Sequence, residues 1–244
     1  MAQSCQRALT RKVLNKAKEY GASLAGIATV SSVRKVSSCM QNTRVKWPDS
    51  GGSLLVMALY HDPCLPYLDW WIGRYGTSGN QKLMEIGYNL GHWIRTTLNG
   101  TARDLPYHVE KGGIYLKEAA VVAGLGVIGK NNLLITPEFG PRVRLRAMHL
   151  DMDLQPCGAL EFKCCDNCNM PCTQACPQGA FQEGSYSRSR CNLQMNMDAA
   201  GKSFGQTKDR SFVCIKYCRA CELACPIGNE PSFGAGRPAG EVPF

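Results

Sequence analysis

Long hydrophobic runs are missing from this 244-residue chain. No uninterrupted apolar stretch approaches the roughly 20 residues that span a bilayer, which excludes a helical membrane span. The first seven residues, MAQSCQR, carry no apolar signal core, so no export is expected and the cytoplasm is the expected compartment. Cysteine is sparse over the first 150 residues, where only Cys5, Cys39 and Cys64 occur. No repeat is visible apart from two cysteine motifs near the C-terminus. With 44% hydrophobic and 19% charged residues the composition is that of a globular protein.

The other 11 of the 14 cysteines fall between Cys157 and Cys225. That change divides the chain into an expected mixed α/β domain over 1–155 and a loop-rich segment over 156–244 that metal must organise, ending in an extended Gly/Pro-rich tail at 231–244. In the first part, Ala8, Leu9, Val13, Leu14, Ala17 and Tyr20 recur at helical spacing, with Gly21 placed as a C-terminal cap. Residues 23–30 and 53–60 read as buried strands, and 81–98 as a helix with Leu83, Ile86, Leu90, Ile94 and Leu98 on its inner face. A further helix is expected over 115–123, followed by glycines and an apolar strand at 133–136.

The first cysteine motif is Cys165-x2-Cys168-x3-Cys172-x3-Cys176-Pro177, and the second is Cys218-x2-Cys221-x3-Cys225-Pro226. In two-cluster ferredoxins the closely spaced cysteines hold one 4Fe-4S cluster, and the cysteine before proline crosses to the other. That logic assigns Cys165, Cys168, Cys172 and Cys225 to one cluster, and Cys176, Cys218 and Cys221 to the second. The eighth ligand is Cys191 or Cys214, and Cys164 competes with Cys165. Zinc needs four ligands and explains neither the Cys-Pro steps nor seven regularly spaced thiols. Disulfides do not suit a cytoplasmic chain. The three-residue gap between Cys168 and Cys172, where two is usual, requires a local bulge.

The formal charge of +9 counts cysteines as neutral. Two clusters, each adding about −2, leave about +5, compatible with an anionic partner without demanding one.

Residues 118–144, EAAVVAGLGVIGKNNLLITPEFGPRVR, followed by both motifs, resemble the core of the epoxyqueuosine reductase and reductive dehalogenase superfamily. The resemblance implies a nitroreductase-like domain joined to a ferredoxin-like double-cluster module, with base-off cobalamin held between them. It implies an oxidoreductase in which an external low-potential donor reduces the clusters, and they reduce a corrinoid that acts on a substrate. A small molecule, a corrinoid or tRNA are the substrate classes, and a plain electron carrier or corrinoid-reducing activator is the alternative of a different kind. The resemblance also favours Cys191, which follows the basic segment 188–190, over Cys214.

Gly124, Gly126 and Gly129 could let a planar cofactor approach the backbone, with Lys130 and Asn131 at its polar edge, or could simply form a tight turn. They follow an expected helix and precede a strand, which is the wrong order for a dinucleotide fingerprint. Arg142, Arg144 and Arg146 alternate with apolar residues and would share one strand face; a solvated face is the plain reading, and Arg142 and Arg144 contacting the cofactor the functional one. By position in the family pattern, Glu110 is a candidate proton donor, with Tyr115 and His108 as alternatives. No histidine sits in the Asp-x-His-x-x-Gly setting that supplies cobalt's lower ligand in other cobalamin proteins, so none is expected on the metal.

Overall fold

The computed structural model describes residues 2–36, 47, 51–206 and 211–228. Cys39 and the expected extended tail at 231–244 lie outside them.

Helix α1 (Ala2–Glu19) leads through Gly21, at φ +110°, into strand β1 (Leu24–Thr29). The strand stops one residue short of the sequence expectation because Thr29 is an N-cap. Its hydroxyl accepts from the Ser32 amide at 3.0 Å and starts the short helix α2 (Val30–Arg34). Strand β2 (Ser53–Tyr60) and helix α3 (Ser78–Leu98) follow, the latter capped by Thr77 at one end and left-handed Asn99 at the other. The short strand β3 (Ala102–Asp104) and helix α4 (Leu116–Val122) come next. Strands β4 (Val127–Ile128) and β5 (Leu134–Ile135) form a small hairpin, so the apolar run at 133–136 is no strand of the main sheet. Strand β6 (Val143–Leu150) completes that sheet, whose order is β1-β2-β6-β3 with every pairing antiparallel.

Because side chains alternate across a strand, this sheet feeds two cores. Ala28, Leu54, Val56, Leu145 and Ala147 pack on one face against α2 and α4. Ile27, Leu55, Met57, Met148 and Leu150 pack on the other against Leu83, Ile86, Leu90 and Ile94 of α3 and Val13 and Ala17 of α1. The result is three layers, helix, sheet and helix, and the 3.6-residue period of α3 is what the second core reads. Leu90 is fully buried, and truncating it to alanine would cost roughly 2–5 kcal/mol.

The cysteine-rich segment has little regular structure. It contains α5 (Pro171–Gln174), α6 (Arg188–Ala200), the hairpin of β7 (Ser203–Gln206) and β8 (Ser211–Cys214), and α7 (Ala220–Leu223). The short helices α5 and α7 pack against each other. Paired backbone bonds of 2.9 Å between Trp71 and Ile215 tie the segment to the sheet-bearing part.

Candidate cluster-binding site

Two groups of four thiols assemble in the cysteine-rich segment. Burial raises the Cys172 thiol, and the charges of Cys225, Cys165 and Cys168 push it the same way, which places these four within electrostatic reach of one another. Burial lifts Cys221 to about 12, followed by the effects of Cys218, Cys191, Glu222 and Cys176. The second group, Cys176, Cys191, Cys218 and Cys221, lines one cavity of about 160 Å³. That is roughly ten times the ~10–15 Å³ that admits a single water, so the space suits a polynuclear group. Among the described residues, no three His, Cys, Asp or Glu side chains converge as they would around one metal ion.

Helices carry two of these cysteines. Pro171 sets the first turn of α5 and Cys172 follows it; Cys191 sits in the first turn of α6, which Ser187 caps. Backbone amides already aim at the sulfurs: Ala180 N–H donates to Cys176 Sγ at 3.3 Å, Met170 to Cys168 at 3.4 Å and Ala220 to Cys218 at 3.5 Å. Burial raises the thiols of Cys172, Cys218, Cys221 and Cys225, whereas a bound cationic centre takes thiols as thiolates, and amides aimed at sulfur favour that form. The donor set therefore fits two cubane clusters. Cys164 and Cys165 lie with sulfurs 3.6 Å apart; burial first and then Cys165 push Cys164 up to about 12. Cys214 is 1% exposed in β8 and does not line the second cavity.

An ionic bridge joins this segment to the sheet. Asp69 meets Arg144 at 2.6 Å through one oxygen and Arg219 at 2.6 Å through the other. Glu222 meets the same two arginines at 2.9 and 2.5 Å. His61, with no exposed surface, shares a 2.8 Å hydrogen bond with Asp69 through Nδ1, while its Nε2 has no hydrogen-bond partner. Desolvation works to raise Asp69, but the His61 bond and both arginines outweigh it and hold the carboxyl below its ordinary range. Desolvation likewise lowers His61, which favours the neutral ring.

Several residues suggested as cofactor contacts have other work. The expected solvated arginine face is buried: Arg142 is 2% exposed and Arg146 8%. Arg142 precedes β6 and donates to the carbonyls of Ile227 at 2.7 Å and Cys225 at 2.6 Å, while Arg146 donates to Asn80 at 3.2 Å. Arg144 belongs to the ionic bridge. The glycines make room for the chain itself. A Cβ on Gly124, which has φ +77°, would lie 2.4 Å from the Gly158 carbonyl oxygen, and one on Gly126 would lie 2.2 Å from that of Ile135. At Gly129 the Ile135 side chain fills the space. Lys130 is exposed, and buried Asn131 donates to the Cys221 carbonyl at 3.4 Å and lines the second cavity. The turn thus packs against the cluster segment through Asn131. Glu110 is exposed on a 3-10 turn and Tyr115 stands at the start of α4; neither lines a thiol cavity.

Sequence reasoning missed Asp69, Lys117, Tyr186, Arg219 and Glu222. Arg219 and Glu222 stand inside the second cysteine motif, and charged residues between ligands were a usable signal. Asp69 and Lys117 carried none, since their roles come from distant packing. Half-buried Lys117 lines the second cavity and donates to the Asn132 carbonyl at 2.5 Å. Burial lowers its proton affinity, Glu118 raises it and Arg188 lowers it. Burial raises the Tyr186 phenol, followed by its bond to Cys191.

No family model matches the chain. It is 29% identical over 148 residues to the tetrachloroethene reductive dehalogenase of Sulfurospirillum multivorans, a match covering 57% of this chain and 26% of that protein. It is 32% identical over 123 residues to the epoxyqueuosine reductase of Listeria monocytogenes, covering 48% of this chain and 31% of the relative. The chain thus aligns with about a quarter to a third of these relatives' lengths. The crystal structure of a selenomethionine-labelled epoxyqueuosine reductase superposes with a TM-score of 0.65 at 19% identity, over 93% of this chain and 67% of the other, so the fold is shared.

Proposed function

Because the chain belongs to the superfamily of epoxyqueuosine reductases and reductive dehalogenases, we propose that it is an iron-sulfur oxidoreductase relaying electrons from an external low-potential donor to a substrate. The observation that carries this reading is the assembly of eight thiols, seven from the two motifs and Cys191 from between them, into two separate groups. Cys165, Cys168, Cys172 and Cys225 hold one cluster, and Cys176, Cys191, Cys218 and Cys221 the other. A bound 4Fe-4S cluster supplies one-electron storage and relay at potentials set by net charge, hydrogen bonds to sulfur and exposure, within about −700 to +450 mV.

The protein's own residues do the positioning. Backbone amides orient the sulfurs, the crossing of Cys176 and Cys225 locks the two sites into one unit, and Arg142 clamps the far end of that unit to β6. The ionic bridge of Asp69, Arg144, Arg219 and Glu222 fixes the second site against the sheet without adding net charge, since two cations face two anions.

The superfamily also uses cobalamin. Here the corrinoid reading rests on kinship, and Gly124, Gly126, Gly129, Arg142 and Arg144 make contacts within the chain. The relatives' names divide the substrate between tetrachloroethene and epoxyqueuosine, the latter carried on a tRNA stem loop in one solved epoxyqueuosine reductase complex. Net positive charge favours the tRNA reading as the second hypothesis, and binding of a tRNA stem-loop that weakens steeply with salt is its test. Anaerobic reconstitution followed by metal analysis tests the main reading. About eight iron and eight sulfide per chain are expected; about four iron, or stoichiometric zinc, overturns it.

A further inference from the structure

We propose that Lys117 is the residue whose cationic side chain sets the reduction potential of the cluster held by Cys176, Cys191, Cys218 and Cys221. This rests on the two-cluster reading and deepens it. The other charged groups lining that cavity, Arg219 and Glu222, are paired with each other at 2.5 Å and with the Asp69 and Arg144 pair behind them, so their fields largely cancel. Lys117 differs, because the acceptor of its ammonium is a neutral carbonyl, that of Asn132 at 2.5 Å. That bond holds the side chain on the wall of the cavity, which Asn131 and Leu133 also line.

A fixed positive charge beside a cluster favours the reduced, more negative state, and partial burial weakens solvent screening of it. Glu118, the next residue along α4, attracts the ammonium, and Arg188, at the start of α6, repels it. Substituting Lys117 alone, with both neighbours left intact, isolates the contribution of its charge. The bond to Asn132 also steadies the turn that delivers Asn131 to the Cys221 carbonyl. A purely bracing role would affect cluster retention and leave the potential where it is.

The test is an anaerobic redox titration of the reconstituted full chain, followed by the EPR signals of the reduced clusters. The signal lost in Cys191→Ser identifies the second cluster. Lys117→Gln is expected to move that midpoint to lower potential by about a tenfold change in the one-electron equilibrium, ~59 mV, with the other midpoint unmoved. Lys117→Arg is expected to stay near the parent value. A loaded Lys117→Gln protein with both midpoints unmoved overturns the proposal, and so does an equal shift of both. If Lys117→Gln fails to load, Lys117→Met takes its place, and loss of iron from all three variants makes Lys117 a brace and overturns the proposal. A parent chain that never holds eight iron overturns the function reading itself, so the two failures are distinguishable.

Discussion

The guanidinium of Arg142 donates to the main-chain carbonyl of Cys225 at 2.6 Å, 83 residues further along the chain. A second bond from the same group reaches Ile227 at 2.7 Å, and only 2% of Arg142 is exposed. A charged donor buried this deeply must keep its acceptors, and the acceptors flank the Cys-Pro step of the second motif. Arg142→Ala is expected to remove two charge-assisted bonds worth ~1.5–3 kcal/mol each, lowering the apparent melting temperature of the holoprotein by roughly 6–12 °C. Iron loss should centre on the cluster that uses Cys225. Calorimetry and iron analysis check both, and an unchanged melting temperature would contradict the clamp.

Gly126 offers a cleaner separation of packing from cofactor contact. Its missing side chain leaves space that the Ile135 carbonyl oxygen occupies, 2.2 Å from where a Cβ would stand. Gly126→Ala must push the β4–β5 hairpin away from its neighbours, and a cost of ~1–3 kcal/mol is expected. The loss should be the same with and without added hydroxocobalamin. A variant with parental stability and weakened cobalamin binding would return this glycine to the cofactor-contact role.

Cys191→Ser is expected to lose about four iron per chain and one reduced-state EPR signal, whereas Cys214→Ser should retain both clusters. Cys191 lines the second cavity with Cys176, Cys218 and Cys221, while Cys214 is paired with Ser203 in the β7–β8 hairpin and buried there. Equal iron retention in Cys191→Ser would transfer the ligand role to Cys214.

Spacing alone favoured Cys214, three residues before Cys218, over Cys191, and the reason it points that way is physical. Ligand spacing reports local chain geometry, and it made the two motifs readable as a pair, with the closely spaced cysteines of each serving one group and the cysteine before proline crossing to the other. Cys191 reaches the second cavity through the capped start of α6, a placement set by packing and not by distance in sequence. Likewise α3 was legible because its apolar period faces one core, and β2 because a continuous apolar run filled a strand buried on both faces. The arginines of 142–146 misled: alternation reported that they share a side, but not that Asp69 and Glu222, from 75 residues before and 78 residues after Arg144, would cover it. Charge pairs this distant leave no periodic trace.

The His61–Asp69 pair yields the last prediction, in acid. Burial, the largest influence on His61, lowers its pKa below the ordinary 6.5, while the Asp69 bond and charge oppose the shift and Arg144 and Arg219 reinforce it. The folded protein therefore keeps the ring neutral at pH values where the unfolded chain has already taken up a proton. Below about 6.5 the unfolded state binds more protons, so stability falls with pH until the folded ring itself titrates. Asp69, whose folded pKa lies below its usual value, adds a loss of the same sign at lower pH, beginning near the ordinary carboxylate range of about 4. The stability of the parent is thus fully present above pH ~6.5, and its apparent melting temperature is expected to decline between about pH 6.5 and 5. His61→Gln is expected to start lower, because it disturbs a fully buried site against Gly79, yet to show a flatter dependence across that interval. Melting curves of both holoproteins in matched buffers, with iron content checked at each pH to separate acid loss of the clusters, decide the matter. Parallel curves for parent and variant would show that His61 does not titrate on unfolding in this range.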